Sequence, residues 1–175
     1  MSTWRLLIYS CWFQSLWFVA ILGKESLQWL LVVMVLATYI YSYSVMSIKL
    51  FRLLLLLSVV GVVVDVGNMV FGLFSFYQGG FPIWLVALWL IFVWYAYFLA
   101  PLLTRYPIAL VSIVGGCAGV LSYFAGYKLG AVAFPLNTLN TLCVLLVEWV
   151  MLMTLIVKVF GYDLKKTVVH SEHDV

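Results

Sequence analysis

The chain has 175 residues, of which 67% are hydrophobic and 9% are charged, and its mean hydropathy is +1.20. Soluble domains are usually about 45–50% apolar and about 25% charged. The composition therefore excludes an ordinary water-soluble globule and indicates a single membrane domain. The net charge of +3 comes from basic residues scattered singly between apolar spans, which is not the clustered pattern of a nucleic-acid-binding protein.

Six apolar segments are long enough to cross a bilayer, which takes about 20 residues. Short breaks separate them, and they run over 6–23, 27–47, 53–77, 83–103, 108–127 and 136–160. The pattern predicts an all-α protein, a bundle of six transmembrane helices with short loops that occupies residues 1–160. A short polar cytoplasmic tail is predicted at 161–175.

Basic residues are distributed unevenly between the two sides that six spans define. One side carries Arg5, Lys49, Arg52, Arg105, Lys158, Lys165 and Lys166, and the other carries Lys24 and Lys128. Because cytoplasmic loops hold the excess of Lys and Arg, this bias predicts that both termini lie in the cytoplasm. The outer turns are then short, and no loop in the sequence has the size of a soluble domain.

An ionisable carboxylate, Asp65, lies in the middle of the third predicted span, in the segment SVVGVVVDVGNMVFG at 58–72. The small and polar residues of this segment follow at steps of three or four, so on a helix they form one stripe. They are Ser58, Gly61, Asp65, Asn68 and Gly72. A charge at the bilayer centre costs about 2.5–3.5 kcal/mol on insertion scales, so an intramembrane acid marks a candidate functional site. We expect the stripe to face the bundle interior.

Two further polar side chains, Gln14 and Glu148, lie near the predicted depth of Asp65, and all nine basic residues lie near span ends. The open possibilities for Asp65 are protonation, hydrogen bonding to Asn68, Gln14 or a tyrosine, a bound cation or ligand, and a proton shared with a second acid. We predict a ligand- or proton-binding site formed by Asp65, Asn68, Gln14 and Glu148. The alternative is that both acids are neutral hydrogen-bonding groups between helices, worth about 0.6–2 kcal/mol each.

Glycines line the fifth predicted span, where Gly115 and Gly119 form a G-x-x-x-G pair. Small residues let helices approach closely in lipid, so such a stripe is more often a packing surface than a ligand site. The glycines predicted to serve helix packing are Gly61, Gly72, Gly115, Gly119 and Gly126.

The three cysteines, Cys11, Cys117 and Cys143, lie inside apolar spans without a C-x-x-C pair or a nearby histidine. Their odd number and position argue against a disulfide framework and against metal ligation. We interpret them as small core residues and expect neither a metal nor a cofactor.

Several residues recur in an order and spacing that extends from the first predicted helix to the end of the fifth. They are Phe13, Gln14, Trp17, Phe18, Asp65, Pro82, Trp84, Leu88, Trp89, Tyr123, Gly126, Gly130 and Ala131. This pattern resembles a bacterial inner-membrane family catalogued as domain of unknown function 2878. The chain departs from the pattern at Tyr9 and Ser10, where the family has an asparagine, and at Val120, where it has a proline. The resemblance implies a small multi-pass protein of the Gram-negative inner membrane, with no established activity.

Three functions fit these features. The leading one is a small transport-like or ligand-binding membrane protein with a midplane polar site around Asp65. The second is an accessory or structural subunit that packs against another membrane protein or a second copy. The third is a membrane enzyme acting on fatty-acyl or envelope lipids, which is favoured less because the sequence has no histidine cluster, activated nucleophile or nucleotide loop. The expected partners are the lipid bilayer and either another membrane protein or further copies of the chain in a homo-oligomer, not nucleic acid.

Overall fold

The computed structural model describes the backbone of residues 3–77 and 79–173, and the side chains of these residues up to 161. This part of the chain forms five α-helices: α1 (Thr3–Val45), α2 (Ile48–Val70), α3 (Ile83–Leu103), α4 (Ile108–Lys128) and α5 (Thr138–His173). All five are long and apolar enough to cross a membrane, α5 over Thr138–Gly161. The all-α class is confirmed, and five helices stand where the sequence predicts six spans.

Helix α1 is interrupted at Lys24, whose φ of 47° and ψ of −130° are not helical. The two arms on either side of Lys24 fold back on each other. This is shown by a hydrogen bond between them, in which the Trp12 indole N–H donates to Thr38 Oγ1 at 3.1 Å. In a straight helix, residues so far apart in sequence would be separated by about 39 Å. The predicted break at Lys24 and Glu25 is therefore a sharp turn inside α1 and not a separate loop.

Helix α2 ends at Val70, although the predicted span continues to residue 77. The Gly72 N–H donates to the Met69 carbonyl at 3.1 Å, and the Leu73 N–H donates to the Asn68 carbonyl at 2.8 Å. These two bonds are the Schellman pattern, which places a residue with positive φ just after a helix. Gly72 has that conformation, with φ of 73°, and a Cβ there would meet nothing within 4 Å. The packing role predicted for Gly72 is therefore wrong, since it is a turn residue.

The bundle is organised around α3, which packs against α1, α2 and α5, while α4 packs against α5. At the end where α2 and α4 finish, the two connecting loops are joined by Ser75 and Ala133, which exchange both backbone N–H···O bonds at 2.9 Å. The fully buried Phe74 lies next to this bridge and contacts the Tyr123 ring, with centroids 5.6 Å apart. The loops thus close this end of the bundle.

Two other expectations differ from the structure. All three cysteines are exposed, so the interpretation of Cys11, Cys117 and Cys143 as core residues is wrong. The backbone of α5 continues to His173 through most of the predicted polar tail, whose side chains from residue 162 onward lie outside the described part of the chain.

Candidate functional site

Asp65 lies on the inward face of α2, and its side chain is 2% exposed. Ser58, Gly61 and Asn68 are buried on the same face, which confirms that the stripe is directed towards the bundle interior. Because α2 ends at Val70, Asp65 lies five residues from the end of the helix, about 8 Å along its axis. The site is therefore nearer the closed end of the bundle than the middle of α2, where the sequence places it.

Two aromatic donors from other helices hold one oxygen of Asp65. Trp89 of α3 donates its indole N–H to Asp65 Oδ2 at 2.6 Å, and Tyr123 of α4 donates its hydroxyl to the same oxygen. The carboxyl group thus joins α2, α3 and α4. Neither donor is among the predicted site residues, although a tryptophan too deep for the interfacial belt needs a partner for its N–H.

Asn68 connects this site to the second acid. Its Nδ2 donates to Glu148 Oε2 of α5 at 2.7 Å. Asn68 is 7% exposed, whereas Glu148 is half-buried. Since Asn68 follows Asp65 by three residues on one helix face, the structure brings three of the four predicted residues into one cluster. The cluster has one sealed acid and one acid at its edge.

Gln14 lies elsewhere. Its side chain is exposed and lines a cavity beside Phe13 and Trp17. Among the described residues, no hydrogen bond joins it to the Asp65 cluster. The buried face of this arm of α1 is marked by Leu16 and Ala20, and a residue two positions before Leu16 lies on the other side of the helix. The sequence gives the depth of Gln14 but not its direction.

A stacked pair of tryptophans forms the apolar side of the cluster. The Trp89 and Trp149 rings are 5.3 Å apart with an interplanar angle of 12°. Each ring lies on a glycine: a Cβ at Gly61 would be 2.2 Å from Trp89, and a Cβ at Gly119 would be 2.1 Å from Trp149. Each glycine precedes a polar member of the cluster by one helical turn. Helices α2 and α4 therefore have the same arrangement: a glycine that contacts an indole ring is followed one turn later by a hydrogen-bonding side chain.

The other two glycines predicted to serve packing lie in different surroundings. A Cβ at Gly115 would be 2.7 Å from Met153 Cε, so the glycine lies at a close contact between α4 and α5. A Cβ at Gly126 would lie 3.5 Å from Val132 Cγ1, which is ordinary van der Waals contact. Gly115 thus accommodates a neighbouring side chain, whereas nothing around Gly126 requires a glycine.

The chemistry available to the cluster is that of carboxyl groups with neutral donors. Within the described residues, neither Asp65 nor Glu148 forms an ion pair, and no group of three or more His, Cys, Asp or Glu residues is placed to hold a metal ion. Trp and Asn side chains donate through N–H and Tyr through O–H, and none of them carries a charge. Such acids can take up and release a proton without disturbing a salt bridge.

Comparisons with known proteins place the chain in a family without giving it an activity. No curated protein and no solved structure matches it. One family model matches residues 6–155, a stretch that contains all the residues of the cluster and confirms the resemblance found in the sequence. The chain therefore belongs to the family described as "Protein of unknown function (DUF2878)".

Proposed function

We propose that the chain crosses the bacterial inner membrane six times, with both termini in the cytoplasm. As a straight helix, the 43 residues of α1 would extend about 65 Å, roughly twice the 30 Å hydrocarbon core of a bilayer. The turn at Lys24 divides α1 into two arms that are each long enough to span. Six passes then leave Lys24 and Lys128 on the outer side and the other basic residues on the cytoplasmic side.

Within this topology, the protein acts as a small transport-like membrane protein in which Asp65 binds a proton and Glu148 exchanges it with the surroundings. The observation that supports this role is a buried acid, held by two neutral donors, with Asn68 three residues later on the same helix face hydrogen-bonded to a half-buried second acid. A buried ionisable group inside a membrane bundle is often part of a proton relay.

The hydrogen bonds favour a proton over a metal cation as the bound species. Asp65 Oδ2 already accepts from Trp89 and Tyr123, and Glu148 Oε2 accepts from Asn68. A metal cation such as Ca²⁺ or Mg²⁺ takes about six or more oxygen ligands, whereas a proton needs a single carboxyl oxygen. The donors can therefore stay in place while the acid changes its protonation state.

A structural role is the second candidate, and the packing of the tryptophan pair favours it. Trp89 and Trp149 stack between Gly61 and Gly119, so the cluster also fixes α2, α3, α4 and α5 against one another. The two candidates differ in what they require of Asp65. A structural role needs only an acceptor oxygen, which asparagine also has, whereas proton binding needs a group that titrates.

Proton flux into vesicles that contain the full chain tests the proposal. Under an inside-negative potassium diffusion potential, the wild-type protein should acidify the vesicle interior, and Asp65→Asn should reduce this flux to that of empty vesicles. Ser58→Ala is the matched control, because Ser58 is buried on the same face, its hydroxyl donates to the Leu54 carbonyl at 2.8 Å, and it is not part of the Asp65 cluster. Wild-type flux in a folded Asp65→Asn variant would leave only the structural candidate.

A further inference from the structure

A long apolar groove runs between α3 and α4, with α1 and α5 completing its walls. Its volume is about 660 Å³, within the range of about 300–1,000 Å³ for ligand pockets. On α4 the lining residues recur every three or four positions from Leu110 to Ala125, which corresponds to about 22 Å along the axis. On α3 the lining extends from Phe92 to Leu103. The groove therefore follows most of the length of two membrane-span-like helices.

The width of the groove distinguishes between possible occupants. Dividing its volume by its length gives about 30 Å² for the positions open to the centre of a water-sized sphere. Adding the radius of that sphere, about 1.4 Å, on each side gives an average cross-section of about 60 Å², whereas an α-helix about 10–12 Å across covers about 80–110 Å². A transmembrane helix of a partner could lie over the groove but not inside it. A single hydrocarbon chain is thin enough to enter, and the lining of Phe, Leu, Val and Met side chains suits it.

One end of the groove is basic. Leu103, Tyr106 and Leu110 line this end, at the α3–α4 turn that carries the exposed Arg105. Two other walls carry an exposed cation near the same depth, outside the residues that line the groove. Lys158 lies five residues beyond the lining residue Met153 on α5, and Arg5 lies eight residues before Phe13 on α1. Among the side chains that the structure describes, which end at residue 161, the acids Glu25, Asp65 and Glu148 lie at other positions along their helices.

We propose that this groove binds an anionic phospholipid, with one acyl chain between α3 and α4 and the phosphate at the basic end beside Arg105. The apolar lining accounts for the chain. Arg105 at the end of the groove, with Arg5 and Lys158 near the same depth, accounts for the preference for a negative headgroup. Basic pockets between transmembrane helices are common sites for anionic lipid headgroups. The proposal goes beyond proton binding and does not depend on Asp65.

Native mass spectrometry of the full chain, released from detergent with added phosphatidylglycerol or phosphatidylcholine, tests the acyl-chain site. The wild-type protein should retain phosphatidylglycerol more strongly. Ala118 lines the groove and Cys117 does not, although both are exposed on α4. Ala118→Phe should weaken phosphatidylglycerol binding by about tenfold, which corresponds to displacing about two methylenes, whereas Cys117→Phe should not weaken it.

The headgroup is tested with a second pair of variants. Arg105→Gln should remove the preference for phosphatidylglycerol over phosphatidylcholine, whereas Arg52→Gln, an exposed cation on α2 outside the groove walls, should keep it. Equal retention of the two lipids by the wild-type protein would refute the anionic site.

Two results would refute the acyl-chain site. One is unchanged lipid binding when the groove is filled by Ala118→Phe. A second groove-filling variant, Ala125→Phe, replaces it if Ala118→Phe does not fold. The other is a groove-filling variant that no longer forms a dimer but still binds lipid. That result would show that the groove is an interface between two copies of the chain.

Discussion

Trp89 of α3 donates its indole N–H to Asp65 Oδ2 of α2 at 2.6 Å. Its ring lies directly on Gly61, which precedes Asp65 by one turn of α2. One side chain of α3 thus depends on two positions of α2, an acceptor at 65 and the lack of a side chain at 61. The stacking of Trp89 on Trp149 extends this arrangement to α5. The hydrogen bonding and the packing of the cluster are therefore coupled through a single residue.

Replacing Trp89 by phenylalanine separates its two contributions. Trp89→Phe keeps an aromatic ring but removes the donor to Asp65, and we expect it to lower the free energy of unfolding by about 1–3 kcal/mol. Trp84→Phe is the control, because Trp84 is 2% exposed and its buried Nε1 has no hydrogen-bond partner among the described residues. Both substitutions also replace a buried indole with a smaller ring, which costs packing energy. We therefore expect Trp84→Phe to lose less stability than Trp89→Phe, by about the energy of the hydrogen bond. Unfolding of both variants in one detergent gives the comparison, and equal losses would contradict the role of the Trp89 bond.

Two glycines of α2 should respond in opposite ways to alanine. Alanine is favoured over glycine in a helix by about 1 kcal/mol, and a Cβ at Gly67 would meet nothing within 4 Å, so Gly67→Ala should be neutral or stabilising. At Gly61 the new methyl group would lie 2.2 Å from the Trp89 ring. Overpacking of this kind costs about 1–3 kcal/mol. Thermal unfolding of the two variants measures the difference, and a stabilised Gly61→Ala protein would show that Trp89 does not need this glycine.

Gly72 should be sensitive for a conformational reason and not for lack of space. Its φ is 73° and its surroundings are open, so Gly72→Ala places an L-residue in a left-handed conformation at a cost of about 1–2 kcal/mol. Asparagine tolerates this conformation better, and Gly72→Asn should therefore recover part of the loss. Denaturant unfolding of the two variants is the measurement. Equal stability of alanine and asparagine would argue against the Schellman turn.

The Asn68–Glu148 bond should give a measurable coupling between α2 and α5. Interhelical side-chain bonds in membranes average about 0.6 kcal/mol and reach about 1.7 kcal/mol, and the 2.7 Å length favours the upper part of this range. A double-mutant cycle of Asn68→Ala and Glu148→Ala measures the coupling. The same cycle with Asn68→Ala and Thr154→Ala is the control, because Thr154 bonds instead to Ser112 of α4. Coupling no larger than in the control would contradict the bond.

The sequence predicts the apolar helices and the inward face of α2 because both depend on local periodicity. It misplaces the end of α2 because the apolar run continues past Val70, although Gly72 is a recognised stop signal. It assigns Gln14 to the wrong face of its helix, because hydropathy predicts the depth of a residue in the membrane but not the direction of its side chain. Tyr123 lies 58 residues from Asp65 in sequence, and no local pattern encodes such a pairing. One feature of the sequence could have indicated a donor to Asp65: tryptophans that lie deep in the apolar spans have N–H groups that need acceptors.

The turn at Lys24 provides a test of the path of α1. Its φ of 47° lies where glycine is at ease and a β-branched residue is a genuine outlier. Lys24→Gly should therefore retain stability, whereas Lys24→Val should lose about 1–3 kcal/mol through backbone strain. Glu25→Val is the matched control, since Glu25 follows the turn and has no positive φ. Thermal unfolding of all three variants makes the comparison. If valine is tolerated as well at 24 as at 25, the chain does not turn at Lys24 and α1 does not form the two arms that a six-pass topology requires.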